Sequence, residues 1–293
     1  MNSIQLKSRA KINLSIDVLG KREDGYHLVE MIMQTIDLFD KIKIFSLKED
    51  TIIIESNSLD IPLDSTNIVY KAADLIKKQY NIKEGVKIII EKNIPIAAGM
   101  AGGSSNAAAV LVGLNQLWQL KLSENKLKEL GLKLGADVPF CIGGQTALAE
   151  NIGEKLTKID GLSENIFILV CKPELFVSTK EIYEEIDLKI IEKRPNNKLL
   201  IQLLKENKIQ QIADNMYNVL EEVTRERYPV IEEIEKIMME NDALGSMMSG
   251  SGPTVFGLYI NREDAENCKN KLLKKFSQVY IVKSHNKGVE IYG

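Results

Sequence analysis

The chain has 293 residues, 44% of them hydrophobic and 27% charged, with a net charge of −3 at pH 7. That length holds two domains, or one large one, with ample core, and lysines mixed with glutamates leave no basic face of the kind that grips nucleic acid. No apolar run reaches membrane-spanning length and residues 1–11 do not read as a signal peptide, while three widely spaced cysteines, Cys141, Cys171 and Cys268, fit small buried hydrophobes in a reducing cytoplasm rather than disulfides or a zinc site.

In chain order, residues 4–6, 12–19, 28–37, 41–45 and 51–55 read as strands. A Ser65-Thr66-Asn67 cap cluster opens an amphipathic helix over 67–80. A strand over 86–91 is followed by a loop of small residues and an Ala- and Leu-rich helix over 107–118. A further helix spans 123–134 with Ser123 as its N-cap, and 146–149 is a short strand. After about residue 155 the character changes, which divides the chain into 1–155 and 156–293. A buried-looking strand over 166–171 ends at Lys172-Pro173, and helices then dominate 179–241, broken at Arg194-Pro195 and Tyr228-Pro229. The end alternates strand 245–248, Gly/Ser loop, strand 255–260, helix 262–275 and strand 279–283, compatible with a ferredoxin-like α+β half.

The loop is the most informative stretch: Pro95-Ile-Ala-Ala-Gly-Met-Ala-Gly-Gly-Ser-Ser-Asn106. A small-residue loop feeding a helix start offers free backbone N–H groups and the positive end of the helix dipole, and both favour a phosphate. Gly99, Gly102 and Gly103 let the backbone approach polyphosphate oxygens, and Ser104 and Ser105 add hydroxyls at the helix entrance. The stretch lacks Gly-x4-Gly-Lys-Ser/Thr and Gly-x-Gly-x-x-Gly, so neither familiar phosphate loop applies. An ordinary connection capped by Ser104 has the same local composition.

The order of residues in this loop resembles the phosphate-binding motif of the GHMP kinases. Ser8-Arg-Ala-Lys-Ile-Asn-Leu14 resembles the first motif of that family and Met248-Ser-Gly-Ser-Gly-Pro-Thr254 the third, all in family order. Arg22-Glu-Asp-Gly-Tyr-His27 and Leu134-Gly-Ala-Asp-Val-Pro139 are similar to the branch whose alcohol is a cytidine-diphosphate-linked methylerythritol of the non-mevalonate isoprenoid route. The resemblance implies an α+β fold: an N-terminal α/β nucleotide-binding domain, a C-terminal ferredoxin-like domain, and the active site in the cleft between them. It implies an ATP-dependent small-molecule kinase acting on the 2-hydroxyl, in the cytoplasm, as monomer or homodimer. The expected partner is a small molecule with a cytidine diphosphate group, not nucleic acid or membrane. Another GHMP kinase of small alcohols, such as homoserine or mevalonate, or a non-catalytic binding protein of the same fold, are the alternatives.

Phosphoryl transfer to an alcohol needs positioning, charge neutralisation and removal of the alcohol proton. Asp137, in Gly135-Ala-Asp-Val-Pro139 after a helix, is the expected base, or a carboxylate that orients hydroxyl and lysine. Lys11 beside it is expected to stabilise the carboxylate and the developing alkoxide. Asn13, two residues on, faces the same side of a strand and suits substrate binding. Tyr26 and His27 fit the cytosine end, a flat face and a ring donor or acceptor. By resemblance Thr179 and Tyr183 complete that pocket. For ATP, the resemblance assigns the phosphates to Pro95, Ala97, Ala98, Gly99, Met100, Ala101, Gly102, Gly103, Ser104, Ser105 and Asn106, and the adenine side to Asn67 and Lys92. Mg2+ follows from the triphosphate; no carboxylate cluster presents itself, and Ser105 is one candidate ligand. The Gly250-Ser-Gly252 loop suits support of the phosphate loop, the substrate end, or a plain tight turn. Ala97, Ala98 and Ala101 stand where the family is richer in glycine, which predicts a stiffer or re-aimed loop.

Overall fold

The computed structural model describes residues 2–293; the remaining residue of the 1–155 half and of the 1–11 segment, Met1, lies outside the described residues. The chain runs β1 (Ser3–Lys21), β2 (His27–Leu47), β3 (Ile52–Ser56), α1 (Ile68–Tyr80), β4 (Gly85–Glu91), α2 (Gly102–Leu117), α3 (Glu124–Leu132), α4 (Val138–Gly143), β5 (Thr146–Asn151) and β6 (Lys155–Ile159). It continues as β7 (Phe167–Lys172), α5 (Thr179–Glu185), α6 (Asn197–Lys205), α7 (Ile209–Asn215), β8 (Tyr217–Asn218), α8 (Val219–Arg227), α9 (Val230–Met239), β9 (Gly245–Met248), β10 (Val255–Tyr259), α10 (Arg262–Leu272), β11 (Gln278–Val282) and β12 (Val289–Ile291).

Four of the expected strands merge into two. β1 and β2 pair antiparallel along nearly their whole length, with register shifts at Arg9/Lys11, Asn13/Ser15 and Val18/Gly20. The polar residues of this stretch, Arg9, Lys11, Asn13, Ser15 and Asp17, are all buried within β1. Each alternates with an apolar neighbour, so the strand continues while the bulges re-aim its polar side chains.

The first sheet has the order β12-β1-β2-β4-β3, with β5 on β2, β6 on β5 and β8 on β1. Its helical side holds α1 and α2, whose Ala72, Ala73, Ala107, Ala108 and Leu111 pack on Ile42, Ile44 and Ile88. The second sheet has the antiparallel order β11-β7-β10-β9. With the helices between β7 and β9 and α10 between β10 and β11, this is the ferredoxin-like arrangement. Ile12, Leu14 and Ile32 of the first sheet share one core with Val170 and Phe256 of the second. A continuous apolar seam therefore holds the halves together and fixes the width of the cleft between them.

The expected division of the chain falls at residue 155. β6 begins there and completes the first sheet through β5, and β12 returns the end of the chain to β1. Short strands with few apolar residues, such as Lys155–Ile159, carry little periodic signal.

Candidate active site

A cleft of about 1080 Å³ opens between the halves. At one end, the residues between β4 and α2 form a tight loop. Ala97, Gly99 and Ala101 have φ of 50°, 69° and 56°, in the left-handed region. The two alanines thus adopt the conformation expected to favour glycine, at about 1 kcal/mol each. α2 begins at Gly102, earlier than the alanine run suggests, and no side chain caps it. The amides of Gly102, Gly103 and Ser104 find no acceptor among the described residues. They form an uncommitted helix N-terminus aimed into the cleft, the physical requirement for an anion.

A buried polar cluster holds this end. Lys92 pairs with Asp40, which is fully buried. Asp40 Oδ1 accepts from the amides of Asn93 (2.7 Å) and Ile94 (2.8 Å), and Oδ2 from Asn106 Nδ2 at 2.7 Å. Asn106 also donates to Ser8 Oγ at 2.8 Å. Asn67 caps α1, accepting from Val69 N at 2.9 Å and donating to the Pro62 carbonyl at 2.6 Å. Asn67, Lys92 and Asn106 all line the cleft, as do Pro95, Ala97, Ala98, Gly99, Ala101, Gly102, Gly103 and Ser104. Their polar groups brace its wall.

Two residues of the expected phosphate set, Met100 and Ser105, do not line the cleft. The Ser105 hydroxyl is fully buried and donates to the Arg9 carbonyl at 2.7 Å, which removes it as a phosphate or metal ligand. Met100 is buried in the core that joins the halves, so its side chain faces away from the cleft. Its carbonyl accepts the Lys11 amide at 3.2 Å and moors the loop to β1.

The middle of the cleft carries Lys11, Asn13 and Asp137. Lys11 Nζ donates to Asn13 Oδ1 at 2.6 Å and to the Gly99 carbonyl at 3.0 Å. Burial pushes the lysine below its ordinary pKa, and the Asp137 carboxylate pulls the other way. The two do not form a direct ion pair among the described residues. Asp137 occupies the N-cap position of α4, with proline in the first turn, yet its carboxylate makes no cap hydrogen bond. An N-cap aspartate that leaves the helix uncapped keeps its oxygens for the cleft. α4 itself escaped the sequence reading because Asp-Val-Pro followed by six residues looks like a turn.

At the far end, His27 at the start of β2 and Tyr183 on α5 bring their rings to 5.2 Å between centroids, at 39°. Burial, and then Lys21, lower the His27 pKa, favouring the neutral imidazole. Burial raises the Tyr183 pKa, and the Asp137 carboxylate adds to it. Tyr26 stands exposed at the rim, and Thr179 bonds Ser251 Oγ at 2.8 Å. All five expected substrate residues, Asn13, Tyr26, His27, Thr179 and Tyr183, line this one cleft.

Sequence reasoning passed over Asp40, which has no local signal before Lys41, and Asn218, whose place before Val-Leu-Glu-Glu is an ordinary N-cap signature. It left open the role of the second glycine loop, which meets the first. A Cβ on Gly99 would lie 2.1 Å from the Ser249 carbonyl, and one on Gly250 would lie 2.8 Å from that of Gly99.

With a phosphate-ready loop, a lysine–aspartate centre and an aromatic pair in one cleft, comparison with known proteins is direct. The profile of the GHMP kinases N terminal domain matches residues 67–145, and that of the GHMP kinases C terminal matches 200–278. The chain belongs to the GHMP kinase family. A 4-diphosphocytidyl-2-C-methyl-D-erythritol kinase of Clostridioides difficile (strain 630) is 66% identical over 100% of this chain and 99% of its own. One from Alkaliphilus oremlandii (strain OhILAs) is 52% identical, covering 99% of this chain and 100% of its own. A crystal structure of 4-(cytidine 5'-diphospho)-2C-methyl-D-erythritol kinase superposes with TM-score 0.81 at 27% identity, over 96% of this chain and 99% of that one. A homoserine kinase from Cytophaga hutchinsonii has TM-score 0.79 at 19% identity, over 100% and 98%, and shares the fold. In this GHMP kinase no helix among the described residues is long and apolar enough to cross a membrane.

Proposed function

We propose that this GHMP kinase transfers the γ-phosphoryl group of ATP to the 2-hydroxyl of 4-diphosphocytidyl-2-C-methyl-D-erythritol, in the non-mevalonate route to isoprenoid precursors. It acts in the cytoplasm, as a monomer or homodimer. The observation that carries the reading is the meeting of both ends in one cleft: Lys11 and Asp137 stand between an uncommitted helix N-terminus and the His27–Tyr183 pair. The full-length relatives named above support it.

The amides of Gly102, Gly103 and Ser104 hold the triphosphate, with Asn67 and Lys92 on the nucleotide's side of the wall. Tyr26, His27, Tyr183 and Thr179 hold the cytidine end, and Asn13 orients the alcohol. Asp137 takes the proton of the 2-hydroxyl as its oxygen bonds to the γ-phosphorus and the bond to the β-phosphate oxygen breaks, releasing ADP. Lys11, held by Asn13 and the Gly99 carbonyl, places its charge beside the developing alkoxide. Among the described residues no group of three or more His, Cys, Asp or Glu is placed to hold a metal. Mg2+ would come with the triphosphate, with the Ser104 hydroxyl, which lines the cleft at the helix entrance, as its protein oxygen. When bound, the ion would supply charge neutralisation to the phosphoryl group being transferred.

The test is ATP-dependent ADP release with the cytidyl alcohol, homoserine and mevalonate, beside Asp137→Ala. Turnover of the cytidyl alcohol alone, reduced by about 10³-fold or more in Asp137→Ala, is expected. Turnover of homoserine or mevalonate instead would keep the kinase and overturn the cytidine pocket.

A further inference from the structure

Between the halves, the second glycine loop presses on the first, and one side chain governs how. Asn218 is 2% exposed and sits on β8, where it pairs with Ile16 of β1. Its Oδ1 accepts the Leu220 amide at 3.0 Å, capping α8. Both of its N–H groups are also committed, to the carbonyls of Met248 at 2.9 Å and Gly250 at 2.8 Å. One amide thus ties the first sheet, α8 and the turn at 249–252. Glu221 on the same helix accepts the Met248 amide at 2.6 Å and steadies the turn's entrance.

What the turn touches gives this clamp its consequence. Ser249 Oγ donates to the Gly99 carbonyl at 3.2 Å, the same oxygen that accepts Lys11 Nζ at 3.0 Å. On its other side, Ser251 bonds Thr179 at 2.8 Å. The turn lies between the lysine and the cytidine end, and its backbone abuts Gly99 with no room for a methyl group.

We infer that Asn218 is a positioning residue: by holding the Met248 and Gly250 carbonyls it sets the Gly99 carbonyl, and through it the Lys11 ammonium, relative to the reacting oxygen. The inference rests on the proposed kinase reaction for its kinetic arm. An N-cap needs one acceptor, and serine supplies it as well as asparagine. The two donated bonds are extra to capping and serve the turn. Misplacement of a catalytic group by about 1 Å lowers rate by about 10²-fold, so a slack turn acts on kcat more than on binding.

Asn218→Ser keeps an oxygen for Leu220 and loses the double donation. In the full-length protein it is compared with wild type for kcat and KM, with whichever of the three alcohols wild type phosphorylates, and for thermal unfolding. Hydrogen exchange is read at the Lys11 amide, which bonds Met100, and at the Ser249 amide, which bonds Thr254. We expect kcat to fall about 10²-fold with KM within about threefold. Exchange at both amides should quicken by about tenfold while α8 keeps its protection. Unchanged exchange overturns the clamp, even if wild type proves silent with all three alcohols, a result that would sink the kinase reading separately. Quicker exchange with unchanged kcat overturns the positioning role, as does a loss of activity that merely follows loss of folded protein. Should Asn218→Ser fail to fold, Ser249→Ala removes the hydrogen bond at Gly99 alone; lower kcat and faster Lys11 exchange are expected, and no change in either overturns the inference.

Discussion

The two ends of the cleft are built on different principles. The proposed phosphate end is backbone: free amides at the start of α2, a loop with three left-handed residues, and beneath them a buried ion pair with five further hydrogen bonds around Asp40 and Asn106. The proposed cytidine end is side chain: His27 and Tyr26 on the rim of a hairpin, facing Tyr183 from the other half. A triphosphate presents the same oxygens whatever its source, so its site can be rigid and main-chain. A base must be told from other bases, which calls for rings and ring nitrogens. Stability and recognition are therefore expected to separate along the cleft.

The largest effect should come from Lys92→Met. It leaves Asp40 charged and buried with amide donors alone, at a cost of about 3 kcal/mol or more in urea unfolding, because a buried charge without its counter-ion is poorly solvated. A loss below about 1 kcal/mol would mean that the amides suffice. Gly99→Ala comes next. Its Cβ would strike the Ser249 carbonyl at 2.1 Å from a left-handed backbone, so about 2–3 kcal/mol of stability and much of the activity should go. Gly103→Ala is its control, since that Cβ meets nothing nearer than Ile68 at 3.7 Å; its melting temperature should hold or rise.

At the other end the sign of the comparison reverses. Tyr26 is 58% exposed, so Tyr26→Ala should leave unfolding within about 0.5 kcal/mol. Calorimetry with CMP should nevertheless show affinity weaker by about tenfold or more, the worth of a base–aromatic stack. Equal affinity would place the base elsewhere.

The smallest effect concerns the seam beneath the phosphate end. Arg9 Nη2 donates to Glu290 Oε2 at 2.7 Å, tying β12 to β1. That bond, with a lesser one from Lys287, holds the Glu290 pKa at about 2 against an ordinary 4.5. A carboxylate lowered on folding stabilises above its unfolded pKa and stops doing so as pH falls through the folded one. Glu290→Gln should therefore lower stability at pH 7, by less than about 1 kcal/mol for a part-exposed pair. The gap from wild type should stay level down to about pH 4.5 and close toward about pH 2, as thermal scans would register. A gap that persists at low pH would assign the effect to packing.

Sequence by itself determined much of this protein. Ser123 and Asn67 cap the helices they were expected to cap, the 245–248 and 255–260 strands flank the second glycine loop, and Pro229 separates two helices. These features are local: caps, periodicity and proline act within a few residues of themselves. What was decided by tertiary structure is every place where a polar residue is buried with a distant partner. Lys11 fell between two expected strands, but β1 runs through it, with Lys11 donating to the Gly99 carbonyl and Asn13 to the Met31 sulfur. Ser105 looked like a ligand until Arg9 took its hydroxyl, and Asn218, passed over in the sequence, caps α8 and also holds the carbonyls of Met248 and Gly250. A buried polar group must find its hydrogen bonds somewhere, and which partner it finds depends on how strands far apart in the chain are stacked.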